Sequence, residues 1–130
     1  MPRPVLLIED DADIRLLAEM TLRMSGVEVV SCDSGRQGLK ELESREFSLV
    51  ILDVMMPDMS GYDVLGRIHE KMGSAAPPIA LFTARPQDAT LRDVKERPVA
   101  HILPKPFDPE TFAKTVQELI GAKSVGFDRE

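Results

Sequence analysis

The stretch Val5-Leu6-Leu7-Ile8-Glu9-Asp10-Asp11 decides how the chain reads: four apolar residues with no alternation, then three acids in succession. A strand apolar at every position is buried on both faces, which is the habit of parallel sheets covered by helices. Four further apolar runs of strand length follow at Val27 to Cys32, Leu49 to Leu52, Ile79 to Phe82 and Ala100 to Leu103. The connectors between them carry helical spacing instead. Ile14, Leu17, Ala18, Thr21 and Met24 fall at i, i+3, i+4 and beyond. Ser34 with Gln37 three residues on forms a capping-box pattern ahead of Leu39 and Leu42, and Ser60 opens a segment through Gly61, Leu65, Ile68 and Met72. Asp108 and Pro109 stand as N-cap and first helical residue before Phe112, Val116, Leu119 and Ile120. The connector at 86–97 offers only Ala89, Leu91 and Val94 among its charges and reads as the weakest helix, expected to be short or mobile.

Strands alternating with helices of this length imply parallel strands joined by right-handed crossovers, with helices on both faces. The fold class is therefore α/β: a doubly wound, five-stranded parallel sheet of (βα)5, flavodoxin-like form. At 130 residues the chain has room for one such domain, read as 1–121, with 122–130 a frayed polar tail.

The composition, 43% hydrophobic and 29% charged, is that of an ordinary packed domain. With 16 basic and 22 acidic residues the formal charge is −6, which argues against direct nucleic-acid binding as the main activity. Cys32 has no second cysteine to pair with and lies in an apolar run, so it reads as a buried structural thiol. Neither a signal-peptide pattern nor a membrane-length apolar segment is present, and the expected location is the cytoplasm.

In open α/β sheets ligands bind at the carboxyl ends of the strands. There the chain places Glu9, Asp10 and Asp11 after the first run, Asp53 after the third, Thr83 after the fourth and Lys105 shortly after the fifth. Carboxylates converging on one edge repel, and a hard divalent cation relieves that cost. Mg2+ suits a few carboxylates and a carbonyl, and it readily takes phosphate oxygens as further ligands. Lys105 then reads as a fixed cation for a phosphoryl oxygen, and Thr83 as a hydroxyl donor to another. Asp53 reads as the carboxylate nucleophile of an aspartyl phosphate.

Four fragments in this order resemble the receiver domain of two-component response regulators, over residues 4 to 121. They are Leu7-Ile8-Glu9-Asp10-Asp11 with Arg15 beyond, Asp53-Val54-Met55-Met56-Pro57 leading to Gly61, Phe82-Thr83-Ala84, and Lys105-Pro106-Phe107. The resemblance implies Asp53 as phosphoacceptor and Mg2+ held directly by Asp10 and Asp53, by Glu9 through water and by the Met55 backbone carbonyl. It implies Thr83 and Lys105 on the phosphoryl oxygens and a cis Lys105-Pro106 bond. It further implies a sensor histidine kinase or histidine phosphotransfer protein as donor, and a downstream protein target that reads the switched face. Such a switch catalyses its own phosphorylation and dephosphorylation rather than turning over a separate substrate. Two positions depart from the family pattern: Ile102 stands where an aromatic is common, and Pro98-Val99 where Gly-Ala is usual. The expectation is intact phosphorylation chemistry with unusual output coupling.

Rival readings meet specific residues. An aspartate-based phosphohydrolase often carries a second Asp two residues after the nucleophile, and here that position is Met55. A nucleotide-binding module needs a glycine-rich turn after the first strand, where this chain has acids. A scaffolding receiver would lack a phosphorylation residue. Asp11 and Asp13 read as helix N-terminal acids, and His101 as a tolerated surface residue rather than a second acceptor.

Overall fold

In the computed structural model, residues 3–84, 99 and 101–129 are described, with side chains as far as residue 121. The five apolar runs form β1 (Val5–Ile8), β2 (Val29–Cys32), β3 (Leu49–Asp53), β4 (Ile79–Thr83) and β5 (His101–Pro104). All pair in parallel, in the order β2-β1-β3-β4-β5. Because successive side chains of a strand point to opposite faces, the alternate residues of β1 enter two separate cores. Val5 and Leu7 pack with Ala18 and Leu22 of α1 (Ala12–Met24) and with Phe112 and Val116 of the C-terminal helix, α4 (Pro109–Arg129). Leu6 and Ile8 pack on the other face with Val64, Leu65 and Ile68 of α3 (Gly61–Met72), and Leu39 and Leu42 of α2 (Gly35–Ser44) join that core. The architecture is the expected doubly wound, flavodoxin-like sandwich.

Local chemistry sets the helix starts. Asp11 caps α1 by accepting the N–H groups of Asp13 and Ile14, both at 3.0 Å. Ser34 takes the Gln37 N–H at 3.1 Å. At α3, Ser60 and Asp63 satisfy each other's backbone N–H in a reciprocal capping box. Asp108 accepts from Thr111 N at 2.9 Å at the start of α4.

Two expectations shift. On α1 the buried stripe is Ala18 and Leu22 with Ile14 partly covered, whereas Leu17 and Met24 are 50% and 84% exposed. A helix bearing apolar residues on more than one side leaves the choice of inward face to packing, and here the neighbour is α4, whose Gln117 donates to the Ser25 carbonyl at 2.9 Å. The backbone of α4 also continues past Gly121 to Arg129. Unlike Gly26 (φ 83°) and Gly73 (φ 53°), Gly121 does not take the left-handed conformation that ends a helix. The expected helix over 86–97 and the Pro98 turn lie outside the described residues. Cys32 is buried, and burial pushes its thiol up to about 11, in keeping with an inert structural role.

No helix among the described residues is long and apolar enough to cross a membrane.

Candidate functional site

The strand order reverses between β1 and β3, and the acids sit at that switch point, where the crevice of an open α/β sheet opens. Glu9 and Asp10 follow β1 directly, and Asp53 is the last residue of β3. One carboxylate oxygen from each of the three lies within 4.8 Å of the others. Glu9 is fully buried and Asp53 only 2% exposed, while Asp10 stands at the mouth. Lys105 comes up between them: its Nζ lies 2.6 Å from Glu9 Oε1 and 3.0 Å from Asp53 Oδ1. The same ammonium sits 4.8 Å from the centroid of Phe82. Its backbone is set by β4, since Lys105 N donates to the Thr83 carbonyl at 2.8 Å, and the Lys105-Pro106 bond is cis, as the family resemblance implies.

The loop bearing Glu9 and Asp10 is held from below. Asp11 N–H donates to Glu9 Oε2 at 3.0 Å, and Arg15 Nη1 donates to the carbonyls of Glu9 and Asp10 at 2.9 and 3.4 Å. With the carbonyls turned toward α1, the side chains are turned toward Asp53. Arg15 is a member of the quoted motif to which sequence reasoning assigns no role; its place in the first turns of α1, close after the acids, is the signal that could have found it. On the β3 side, Met55 N–H donates to Asp53 Oδ1 at 3.2 Å, and Gly61 N–H to the Val54 carbonyl at 2.7 Å. Thr83 is buried at the end of β4, the strand paired with β3. The expected residues thus gather at one edge: Glu9, Asp10, Asp53 and Lys105 in contact or near contact, with Thr83 and Met55 beside them.

The electrostatics are those of an over-acidic pocket. Burial, then a hydrogen bond to Asp53 and its charge, push the Asp10 carboxyl above the usual carboxylate range. Burial likewise pushes Asp53 up, and Glu9 adds to it, while hydrogen bonds from Asp10 and Lys105 pull the other way without cancelling the rise. Burial alone would lower the Lys105 ammonium, but Glu9 and Asp53 outweigh it and hold it above the ordinary lysine value. Three carboxylates against one ammonium leave an excess of negative charge. Glu9 Oε1, although within ion-pair distance of Lys105, has no aligned hydrogen bond. An all-oxygen donor set with an under-satisfied buried oxygen fits a hard divalent cation.

The fold is shared with known signalling proteins. The family model for the response regulator receiver domain matches residues 5–117, and the chain belongs to that family. It is 34% identical over 118 residues to the transcriptional regulatory protein GltR of Pseudomonas aeruginosa, covering 91% of this chain and 49% of GltR. The chain spans about half or less of the length of several curated regulators it matches. Among solved structures it is similar to the chemotaxis protein CheY4 of Vibrio cholerae, with a TM-score of 0.83 and 29% identity over 92% of this chain and 99% of that one. It is also similar to the response regulator TrrA of Thermotoga maritima, solved in complex with Mg(2+)-BeF, with a TM-score of 0.79 and 28% identity over 90% and 98% of the two chains. The membership favours the receiver reading over the phosphohydrolase and nucleotide-binding alternatives.

Proposed function

We propose that this domain takes a phosphoryl group from a phosphohistidine on a sensor kinase or phosphotransfer protein onto Asp53. Asp10, Asp53 and the Met55 carbonyl would hold Mg2+, with Glu9 acting through water. The observation that carries the reading is Lys105, whose ammonium touches Glu9 and Asp53 at once in a buried crevice. A cation fixed beside a carboxylate nucleophile is placed for the charge that develops on an incoming phosphoryl group.

In the reaction, an Asp53 carboxylate oxygen attacks phosphorus in line, and the bond from phosphorus to the donor nitrogen breaks, its electron pair staying on the imidazole. Lys105 follows the charge from the carboxylate to a phosphoryl oxygen, and the Thr83 hydroxyl donates to another. Mg2+, when bound, neutralises carboxylate and phosphoryl charge together. Hydrolysis of the acyl phosphate by water at the same site would reset the switch. The product adds about −1.5 to −2 charge beside Thr83. The pull on Thr83 and Lys105 would shift the neighbouring surface that a downstream protein reads. Leu16, Leu17 and Met20 on α1 are each about half exposed, and Leu17 shares a groove with Lys105 and Phe107. That apolar surface next to the crevice supports a protein donor.

Incubation with Mg2+ and a small phosphodonor, read by intact mass, tests the chemistry. The parent gains one phosphate, Asp53→Asn gains none, and chelating the metal abolishes the gain. Equal labelling of both proteins would place the acceptor elsewhere.

A further inference from the structure

The loop between β3 and α3, residues 54–60, reaches across the protein face to the start of α2, and Asp58 makes the junction. Its Oδ1 faces the Gly35 N–H at 3.4 Å and its Oδ2 accepts the Arg36 N–H at 3.2 Å. These are the first two residues of α2, whose N–H groups have no acceptor inside the helix. The helix's own cap, Ser34, takes the Gln37 N–H. One helix is therefore capped by two residues, one of them 22 positions downstream on the loop that leaves Asp53.

The close approach depends on residue 35 lacking a side chain. A Cβ there would lie 2.6 Å from Val64 Cγ2 and 2.8 Å from Met59 Cγ. Met59 thus lies against the first turn of α2, beside the Asp58 contact. The loop's ends are held by backbone bonds: Met55 N–H to Asp53, and Gly61 N–H to the Val54 carbonyl. Between them, Met56 and Met59 contribute apolar packing, and Asp58 contributes the directional tie.

We propose that Asp58 is a positioning residue: by capping α2 it fixes the course of the loop, and so the direction of the Met55 carbonyl toward the cation site three residues earlier. The inference rests on the reading of Met55, Asp10 and Asp53 as cation ligands. It makes α2 a structural support of the site although α2 supplies no ligand to it. Groups surrounding a metal site commonly change its affinity 10–100-fold when lost.

The experiment measures Mn2+ affinity by electron paramagnetic resonance, well below the unfolding temperature, for the parent, Asp10→Asn, Asp58→Ala and Asp58→Asn. Asp58→Ala should weaken binding about 10-fold. Asp58→Asn keeps one oxygen acceptor, enough for the shorter bond to the Arg36 N–H, and should stay within about threefold of the parent. Unchanged affinity in Asp58→Ala, with only a lower melting temperature, would make the contact a helix cap and nothing more. Equal weakening in both Asp58 variants would assign the effect to charge and overturn the positioning role. Failure of the underlying reading looks different: there the parent binds no Mn2+, or Asp10→Asn binds as well as the parent.

Discussion

Lys105 carries the charge balance of the crevice. Its side chain is 12% exposed, and the carboxylates it meets, Glu9 and Asp53, are 0% and 3% exposed, so neither acid has water in its place. Removing one member of such a buried group leaves the others uncompensated, at a cost of about 3 kcal/mol or more. Lys105→Met should therefore lower the unfolding free energy of the cation-free protein by about 3 kcal/mol at pH 7 in urea titrations with chelator present. The sign of its pH dependence follows from the acids. Asp10 and Asp53 already lie above the usual carboxylate range, and losing the ammonium raises them further. The folded variant then binds more protons than the unfolded chain, and its stability increases as pH falls. The deficit should shrink between pH 7 and pH 5; a deficit independent of pH would show that lost packing over Phe82, rather than charge, is the cause.

Between elements, a constraint set by backbone alone lies where α3 begins. A Cβ on Gly61 would run into the Asp53 carbonyl oxygen and lie 2.8 Å from Val54 Cα, both backbone atoms that cannot turn aside. Gly61 is thus required by the approach of α3 to the end of β3, and its N–H bond to the Val54 carbonyl at 2.7 Å ties the two together. Gly61→Ala gains helix propensity of up to about 1 kcal/mol. Overpacking costs about 1–3 kcal/mol and, against backbone, the upper end applies. A net loss of about 2–3 kcal/mol is expected by thermal or urea unfolding. Because the displaced atoms include the Asp53 backbone, phosphorylation by a small donor should slow in the same variant; a more stable Gly61→Ala protein would refute the account. The helix α1 teaches the converse lesson. Its sequence supports more than one apolar stripe, and the stripe at Ile14, Ala18 and Leu22 went inward while Leu16, Leu17, Met20 and Met24 stayed at least half exposed.

For the whole molecule, folding itself assembles the candidate cation site, since Asp53 lies more than 40 positions from the adjacent Glu9 and Asp10 in the unfolded chain. A cation that binds only the folded form stabilises it by mass action, about 2.7 kcal/mol at 100 times its dissociation constant. Millimolar Mg2+ should raise the melting temperature of the parent, and Asp10→Asn should remove most of that rise. An equal rise in both would mean that general screening of the −6 net charge, rather than a site, is responsible.

Much of this was legible without coordinates. The unbroken apolar runs of β1, β3 and β4 marked strands buried on both faces, whereas the edge strands β2 and β5 carry Ser31 and His101 and are only partly buried. Ser34, Ser60 and Asp108 marked helix starts because the N–H groups they satisfy are close in sequence, while Asp11, read only as a helix N-terminal acid, proved to be the cap of α1. The acids, Thr83 and Lys105 were read as one candidate site because their chemistries fit together, and the structure gathers them at one edge. Contacts across sequence distance were decided in three dimensions: which face of α1 is buried, the seating of Lys105 on Glu9 as well as Asp53, the grip of Arg15 on two carbonyls, and the reach of Asp58 to α2. Local pattern records a residue's own needs, whereas these contacts depend on which elements the chain brings side by side, and that follows only from packing the whole sheet.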